Sequence, residues 1–222
     1  MSQFYADDIT QQSEQLLRRL RVITPRAVVL GGWATFLYAG GQRSKDVDIG
    51  VTPAELTALQ HEFGTRLTNN PNLRKYEVKE GAIDLDILVG YYSNSGIRIE
   101  RLFDCTRVVD GFTVVCPEGL LLLKLCAWID RAGRPKGDKD EVDVTSLLRQ
   151  LTFDWAIYRD KVALTDDKYR SALVGAIGRL FTSASMRKNW RHVLDGGGPA
   201  FGSDHAWRAW AKKQQAKIPG DL

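Results

Sequence analysis

Two short stretches in which aspartates alternate with aliphatic residues constrain this chain more than anything else in it. They are Asp46-Val47-Asp48-Ile49-Gly50-Val51 and Ile83-Asp84-Leu85-Asp86-Ile87-Leu88-Val89. On a β-strand, side chains two apart share a face. The pattern therefore predicts two strands, each with an aliphatic face for the core and an acid-bearing face. Carboxylates placed side by side repel unless a cation sits between them. Acids on one face of an otherwise apolar strand bring no packing benefit, so they ask for a functional explanation. Hard oxygen ligands of this kind suit Mg²⁺.

The first acid stretch follows a glycine turn. Val28-Val29-Leu30 is a short apolar run, Ala27 to Leu30 reading as a strand, that stops at Gly31-Gly32. Trp33-Ala34-Thr35-Phe36-Leu37-Tyr38 can then form a short helix that Gly40-Gly41 ends. Glycines at a helix mouth let the backbone approach a phosphate. The N–H groups of Trp33 and Ala34, with the helix dipole, would favour its negative charge.

The rest of the chain supplies a frame for these pieces. Ile9, Leu16, Leu17 and Leu20 recur at helical spacing over residues 7–22, with Arg18, Arg19 and Arg21 outside, and Pro25 closes that helix. Thr52 and Pro53 read as N-cap and first turn of a helix carrying Leu56, Leu59, Phe63 and Leu67. Asn69-Asn70-Pro71-Asn72 reads as a loop. Lys75–Lys79 and Ala82–Val89, joined by Glu80-Gly81, read as a hairpin. Short strands are expected at Thr106–Val109 and Thr113–Cys116, then a helix from Pro117 to Arg131. The polar segment Ala132–Asp138 reads as a loop leading into a helix with Lys139, Asp140, Asp143, Leu147 and Leu148. From Phe153 onward the chain reads as helical, with Trp155, Ile157, Tyr158, Leu173, Ile177, Leu180 and Phe181 as core. Gly196-Gly197-Gly198-Pro199 interrupts it before a basic helix bearing Trp207, Trp210, Lys212, Lys213 and Lys217. Strands crowd into the first half and helices into the second. This predicts an α+β fold, a small mixed β-sheet flanked by helices and followed by a helical region, divided as residues 1–116 and 117–222.

Composition narrows the class. With 222 residues, 44% hydrophobic and 26% charged, the chain has the balance of a soluble globular protein. Its net charge of +4 suits a polyanionic ligand. The stretch Leu120–Leu123 is too short to span a bilayer, and Met1 to Asp8 lack a signal pattern, so no membrane partner is expected. The three cysteines, Cys105, Cys116 and Cys126, form no Cys-x-x-Cys pair, and neither a zinc site nor a disulfide framework is expected. Cys126 reads as a small core residue. A reduced, cytoplasmic chain follows.

Gly31-Gly32, then Asp46-Val47-Asp48, then an acid on a later strand resembles the signature of the DNA polymerase beta-like nucleotidyltransferase superfamily. Alternation alone leaves Asp84 and Asp86 equivalent; in the family the third acid is followed by two aliphatics, which fits Asp86-Ile87-Leu88. Val114–Trp128, Arg131 and Lys139–Leu148 are similar to the downstream part of minimal nucleotidyltransferases and AbiEii-type toxins. The resemblance covers residues 26–150 and implies a nucleotidyltransferase fold. Asp46, Asp48 and Asp86 would hold two Mg²⁺ ions, for which Mn²⁺ can substitute, about 4 Å apart. Gly31, Gly32 and Trp33 would receive the phosphates of an NTP such as ATP. Lys124 would neutralise triphosphate charge, and Asp140 would assist the acceptor hydroxyl or orient Lys124. Arg43, Ser44 and Lys45, just before the acid strand, would line the nucleotide, with Arg43 and Lys45 near the γ-phosphate.

Other readings of the same residues stay open. Lys124 also fits a snorkelling residue on a helix flank, and Asp140 and Asp143 fit helix N-terminal acids. Arg43 and Lys45 fit solvated loop positions. Trp190-Arg191-His192 and Trp207-Arg208-Ala209-Trp210 fit either stacked bases or the packing of a helical bundle. His192 and His205 show no ligand spacing.

The activity implied is transfer of an NMP from an NTP to a hydroxyl of an acceptor. That acceptor is a transfer RNA or other RNA 3′ end, a protein, or a small molecule such as an antibiotic. The resemblance also implies a toxin of a toxin–antitoxin system, with a cognate antitoxin as partner, or a housekeeping relative. The rival is a module that keeps the fold and binds nucleotide or nucleic acid without turnover.

Overall fold

A computed structural model describes residues 7–195 and 198–219. The readings made for Met1–Ala6 and for Gly196 and Gly197 lie outside the described residues. The chain divides into two compact units, Met1–Leu37 with Gln42–Cys116, and Tyr38–Gly41 with Pro117–Leu222.

The first unit holds α1 (Asp7–Ile23), β1 (Val28–Val29), α2 (Gly31–Ala39, its last two residues grouping with the second unit), β2 (Val47–Val51), α3 (Pro53–Phe63), β3 (Thr68–Asn70), β4 (Lys75–Glu80), β5 (Ile83–Val89), β6 (Thr106–Val109) and β7 (Phe112–Val115). The strands form one mixed sheet in the order β3-β4-β5-β2-β1-β7-β6. β2 runs parallel to β5 and β1 parallel to β7; the other pairs are antiparallel. Alternation sets the faces. Ile83, Leu85, Ile87 and Val89 on β5 are buried while Asp84, Asp86 and Leu88 are half-buried. Val47, Ile49 and Val51 on β2 join the same core, with Leu16, Leu17 and Leu20 of α1 and Leu59 and Phe63 of α3. Arg18, Arg19 and Arg21 point outward, as the helical spacing requires.

Local chemistry fixes the ends of these elements. Thr52 caps α3 in a full capping box with Glu55, and Pro53 occupies the first turn. Gly81 takes φ +63° in the turn between β4 and β5, a left-handed conformation that glycine adopts without penalty.

The structure corrects several expectations here. Thr68–Asn70 form an edge strand, so Asn69 and Asn70 are not loop; Asn70 Nδ2 donates to Glu77 across the pair at 3.2 Å. Asp46 lies just ahead of β2 rather than within it, and β7 spans Phe112–Val115, one residue earlier than expected. Cys105 and Cys116 form a disulfide across the ends of the β6–β7 hairpin. The reading of a fully reduced chain without a disulfide is therefore overturned. Spacing alone hid the pair, because antiparallel strands bring together residues distant in sequence.

The second unit is helical: α4 (Pro117–Arg131), α5 (Pro135–Gln150), α6 (Trp155–Ala163), α7 (Asp167–Leu173), α8 (Ala176–Thr182), α9 (Met186–Asn189) and α10 (Asp204–Gln215). A small antiparallel pair, β8 (Leu194–Asp195) and β9 (Gly198–Pro199), lies before α10, where only an interruption was expected. α5 begins at Pro135, so the expected polar loop shrinks to Ala132–Arg134, and Asp140 and Asp143 fall in mid-helix rather than at its start. Tyr158, Leu173, Ile177, Leu180 and Phe181 are buried, while Trp155 and Ile157 are half-buried. Phe181, Trp190, Phe201, Trp207 and Trp210 make edge and tilted ring contacts with one another. Of these, Trp190 and Trp207 are deeply buried, so these tryptophans pack the bundle instead of offering faces to bases. Cys126 is buried, and burial pushes its thiol up to about 12. No helix among the described residues is long and apolar enough to cross a membrane.

Candidate active site

The acid-bearing face of the sheet carries the candidate site in the first unit. The parallel register sets Asp48 on β2 level with Asp86 on β5, and the antiparallel register sets Glu77 on β4 level with Asp86. Paired residues on adjacent strands present side chains to the same face. Asp48, Asp86 and Glu77 thus form one row of carboxylates across three neighbouring strands. Asp84, which alternation could not separate from Asp86, pairs with Lys79 and lies one step off the row. Two residues beyond Asp48, Gly50 comes under Phe103 and Ile99, where an added Cβ would stand 3.2 and 3.3 Å from their side chains. That segment closes one end of the acid face.

The glycine turn meets the same row. Gly31 adopts φ +59°, and a Cβ built on it would fall 1.9 Å from Oδ2 of Asp48. Only a residue without a side chain lets the start of α2 lie against this carboxylate. The backbone contributes too: the amide of Leu30 donates to the carbonyl of Asp48 at 2.9 Å, tying the end of β1 to β2.

The neighbours of Asp86 define its electrostatics. Its Oδ2 accepts from Lys75 Nζ at 2.6 Å, and the same ammonium lies 2.8 Å from Glu77. Burial raises the pKa of Asp86; the Lys75 contact opposes this, and the charges of Asp48 and Glu77 add to the rise. Glu77 is held below the ordinary carboxylate range, chiefly by its hydrogen bond from Lys75. For Lys75, burial pulls downward, but hydrogen bonds to Asp86 and Glu77 outweigh it and leave the ammonium above its usual value. An ion pair alone would lower the acid while raising the base. Both rise here because burial dominates at Asp86, with the charges of Asp48 and Glu77 adding to it, while the hydrogen bonds to Asp86 and Glu77 together outweigh burial at Lys75. A glycine turn against Asp48 and adjacent oxygen donors on one sheet face together fit a divalent metal ion. Asp48 and Asp86 are the residues that could hold it, with Asp46 just ahead of β2.

Other expected contacts are placed differently. The indole of Trp33 is buried and donates to Ser13 Oγ at 2.7 Å, so its side chain serves the core. The Ala34 amide donates to Leu30 at 3.2 Å, which removes it from the expected pair of free N–H groups. Gly32 is buried inside the first turn of α2. Arg43 pairs with Glu14 at 3.3 Å and lies over the ring of Phe36. Ser44 is buried, and Lys45 Nζ stands 4.0 Å from Asp46.

In the second unit, Lys124 is 7% exposed and donates to Asp143 Oδ2 at 2.6 Å, with Asp140 at 3.6 Å. It is not a snorkelling flank residue. Asp140 also meets Arg131 at 3.5 Å, and burial raises its pKa against the pull of Lys124 and Arg131. These four residues bind α4 to α5. Lys75 and Glu77 escaped the reading of the sequence. Their signal was the hairpin itself, since pairing β4 with β5 through Gly81 fixes Glu77 opposite Asp86.

No protein-family model matches the sequence, and no curated protein matches it. Among solved structures, JHP933 from Helicobacter pylori is similar at 17% identity, over 96% of this chain and 94% of that one, with a TM-score of 0.50. An antigenic nucleotidyltransferase-like protein from Paracoccidioides brasiliensis is similar at 16% identity, over 87% of this chain and 97% of that one, with a TM-score of 0.46. The mixed α+β fold is thus one found in a known structure.

Proposed function

We propose that this chain is a Mg²⁺-dependent nucleotidyltransferase that moves an NMP from an NTP to an acceptor hydroxyl. The observation that carries the reading is the fit of Gly31 against Asp48, level with Asp86. It brings the glycine turn at the start of α2 against one of two metal-type ligands that stand level on one sheet face. Asp48 and Asp86, with Asp46, would hold the ion, which on binding polarises the α-phosphate and lowers the pKa of the attacking hydroxyl.

The chain's own residues account for the rest. The start of α2, where the helix N-terminus favours negative charge, would receive the phosphates. With Asp48 and Asp86 given to the ion, the acceptor proton passes to solvent as the hydroxyl attacks. The new bond joins the acceptor oxygen to the α-phosphorus as the bond to the pyrophosphate oxygen breaks, and pyrophosphate leaves. Lys124 has carboxylate partners in its own unit, and we assign it to the α4–α5 pairing. An RNA 3′ end, a protein or a small molecule remains the acceptor class, and a toxin with a cognate antitoxin remains the biological setting that the sequence resemblance favours.

Incubation with each α-labelled NTP, Mg²⁺ or Mn²⁺, total RNA and lysate protein tests the reading. Label transferred by the wild type and lost in Asp48→Asn supports it. Nucleotide binding with no transfer to any acceptor favours a binding module.

A further inference from the structure

Beside the proposed acid site lies a cation that the reaction as described does not use. Lys75, the first residue of β4, reaches Asp86 Oδ2 at 2.6 Å and Glu77 Oε1 at 2.8 Å. Its side chain is only 15% exposed. The same Oε1 of Glu77 also accepts from Asn70 Nδ2 at 3.2 Å. The ammonium is therefore a seated group with two charged partners, one of them the central carboxylate of the row.

That position conflicts with the ion. A divalent cation bound between Asp48 and Asp86 takes up carboxylate oxygens of Asp86, and an ammonium on Oδ2 of the same group competes for lone pairs and repels the incoming charge. Glu77 offers the displaced ammonium a place to remain, since it already accepts from Lys75. We propose that Lys75 is an internal counter-cation that must leave Asp86 before a divalent ion can bind. It holds the carboxylate row together in the ion-free protein and weakens the site for free ions. Loading then depends on the nucleotide, whose phosphates bring further oxygen ligands. The inference rests on the reading of Asp48 and Asp86 as the ion site and adds a residue that sets the affinity of that site.

Titration of the nucleotide-free protein with Mn²⁺, followed by the loss of the free-ion EPR signal, tests it on wild type, Lys75→Met, Lys75→Gln, Lys75→Arg and Asp48→Asn. Removing one charged hydrogen-bonded competitor is expected to tighten Mn²⁺ binding by about tenfold in Lys75→Met and Lys75→Gln. Lys75→Arg keeps the charge and keeps weak binding. In EDTA the Met and Gln variants unfold at lower temperature than wild type, and Mn²⁺ raises their midpoints by more than it raises the wild-type midpoint. Equal or weaker Mn²⁺ binding in the Met and Gln variants, with binding still lost in Asp48→Asn, overturns the role of Lys75 and leaves the acid site standing. Absence of Mn²⁺ binding in every variant, or binding indifferent to Asp48→Asn, overturns the acid site and this inference with it.

Discussion

Replacing Gly31 with alanine is the most informative single perturbation of this protein. Two costs arise and can be separated. The first is backbone strain, because alanine at φ +59° sits in the left-handed region at a cost of about 1–2 kcal/mol. The second is steric. The new Cβ would stand 1.9 Å from Oδ2, 2.6 Å from Cγ and 3.0 Å from Cβ of Asp48. Restoring ordinary contact requires the carboxylate to retreat by roughly 1.5 Å, and such crowding typically costs about 1–3 kcal/mol. Gly40→Ala supplies the control, since Gly40 has φ +67° and nothing within 4 Å of its added Cβ. Urea denaturation should therefore show Gly31→Ala less stable than wild type by about 2–5 kcal/mol, and Gly40→Ala by only the strain part. Label transfer should fall by about a hundredfold or more in Gly31→Ala, as expected when a reacting group is displaced by an ångström or so. Transfer should be nearly unchanged in Gly40→Ala. Should the two variants match in both stability and transfer, the contact between Gly31 and Asp48 does not shape the site.

Three further perturbations have defined outcomes. Lys124→Met strands Asp143 as a buried charge, leaves Asp140 its contact with Arg131, and should cost about 3–5 kcal/mol in urea unfolding; adding Asp143→Leu should recover part of that loss. Because burial raises the pKa of Asp140, its contribution to stability is present below the ordinary carboxylate pKa and is lost as pH rises through the folded value. Asp140→Asn should accordingly unfold at a higher denaturant concentration than wild type at pH 7, an advantage that disappears toward pH 3; a gain that grows on acidification would contradict the burial argument. Cys105→Ser opens the disulfide that closes the β6–β7 hairpin and should lower stability by about 3 kcal/mol. Wild type treated with reductant should show the same loss, and the variant should show no further response to it.

Much of this architecture is written in local chemistry. The alternation in Ile83–Val89 assigns faces without ambiguity, because a slip by one residue would bury Asp84 and Asp86 and expose Ile83, Leu85 and Ile87. The capping box of Thr52 and Glu55 and the prolines at the starts of α3 and α4 mark helix entries. What local pattern cannot supply is register. Alternation puts Asp84 and Asp86 on one face; the family resemblance pointed to Asp86, and the parallel pairing sets Asp86, not Asp84, level with Asp48. The same non-local pairing brings Glu77 and Lys75 into the row and joins Cys105 to Cys116. Asn69 and Asn70 read as loop because asparagine and proline signal turns, yet the backbone of an edge strand needs a partner on one side only, and β4 provides it. At Trp33 the sequence reading concerned the backbone N–H alone; the helical period turns its indole toward α1 and Ser13.

The central claim is that Asp48 and Asp86 hold a divalent ion against a nucleotide at the Gly31 turn. Crystals grown with Mn²⁺ and a non-hydrolysable NTP analogue, with anomalous data collected at the manganese edge, test it most directly. The account predicts an anomalous peak within coordination distance of both Asp48 and Asp86, with Lys75 Nζ moved off Asp86 Oδ2. A peak elsewhere in the chain, with the Lys75–Asp86 pair intact and the analogue bound away from Gly31, would contradict it.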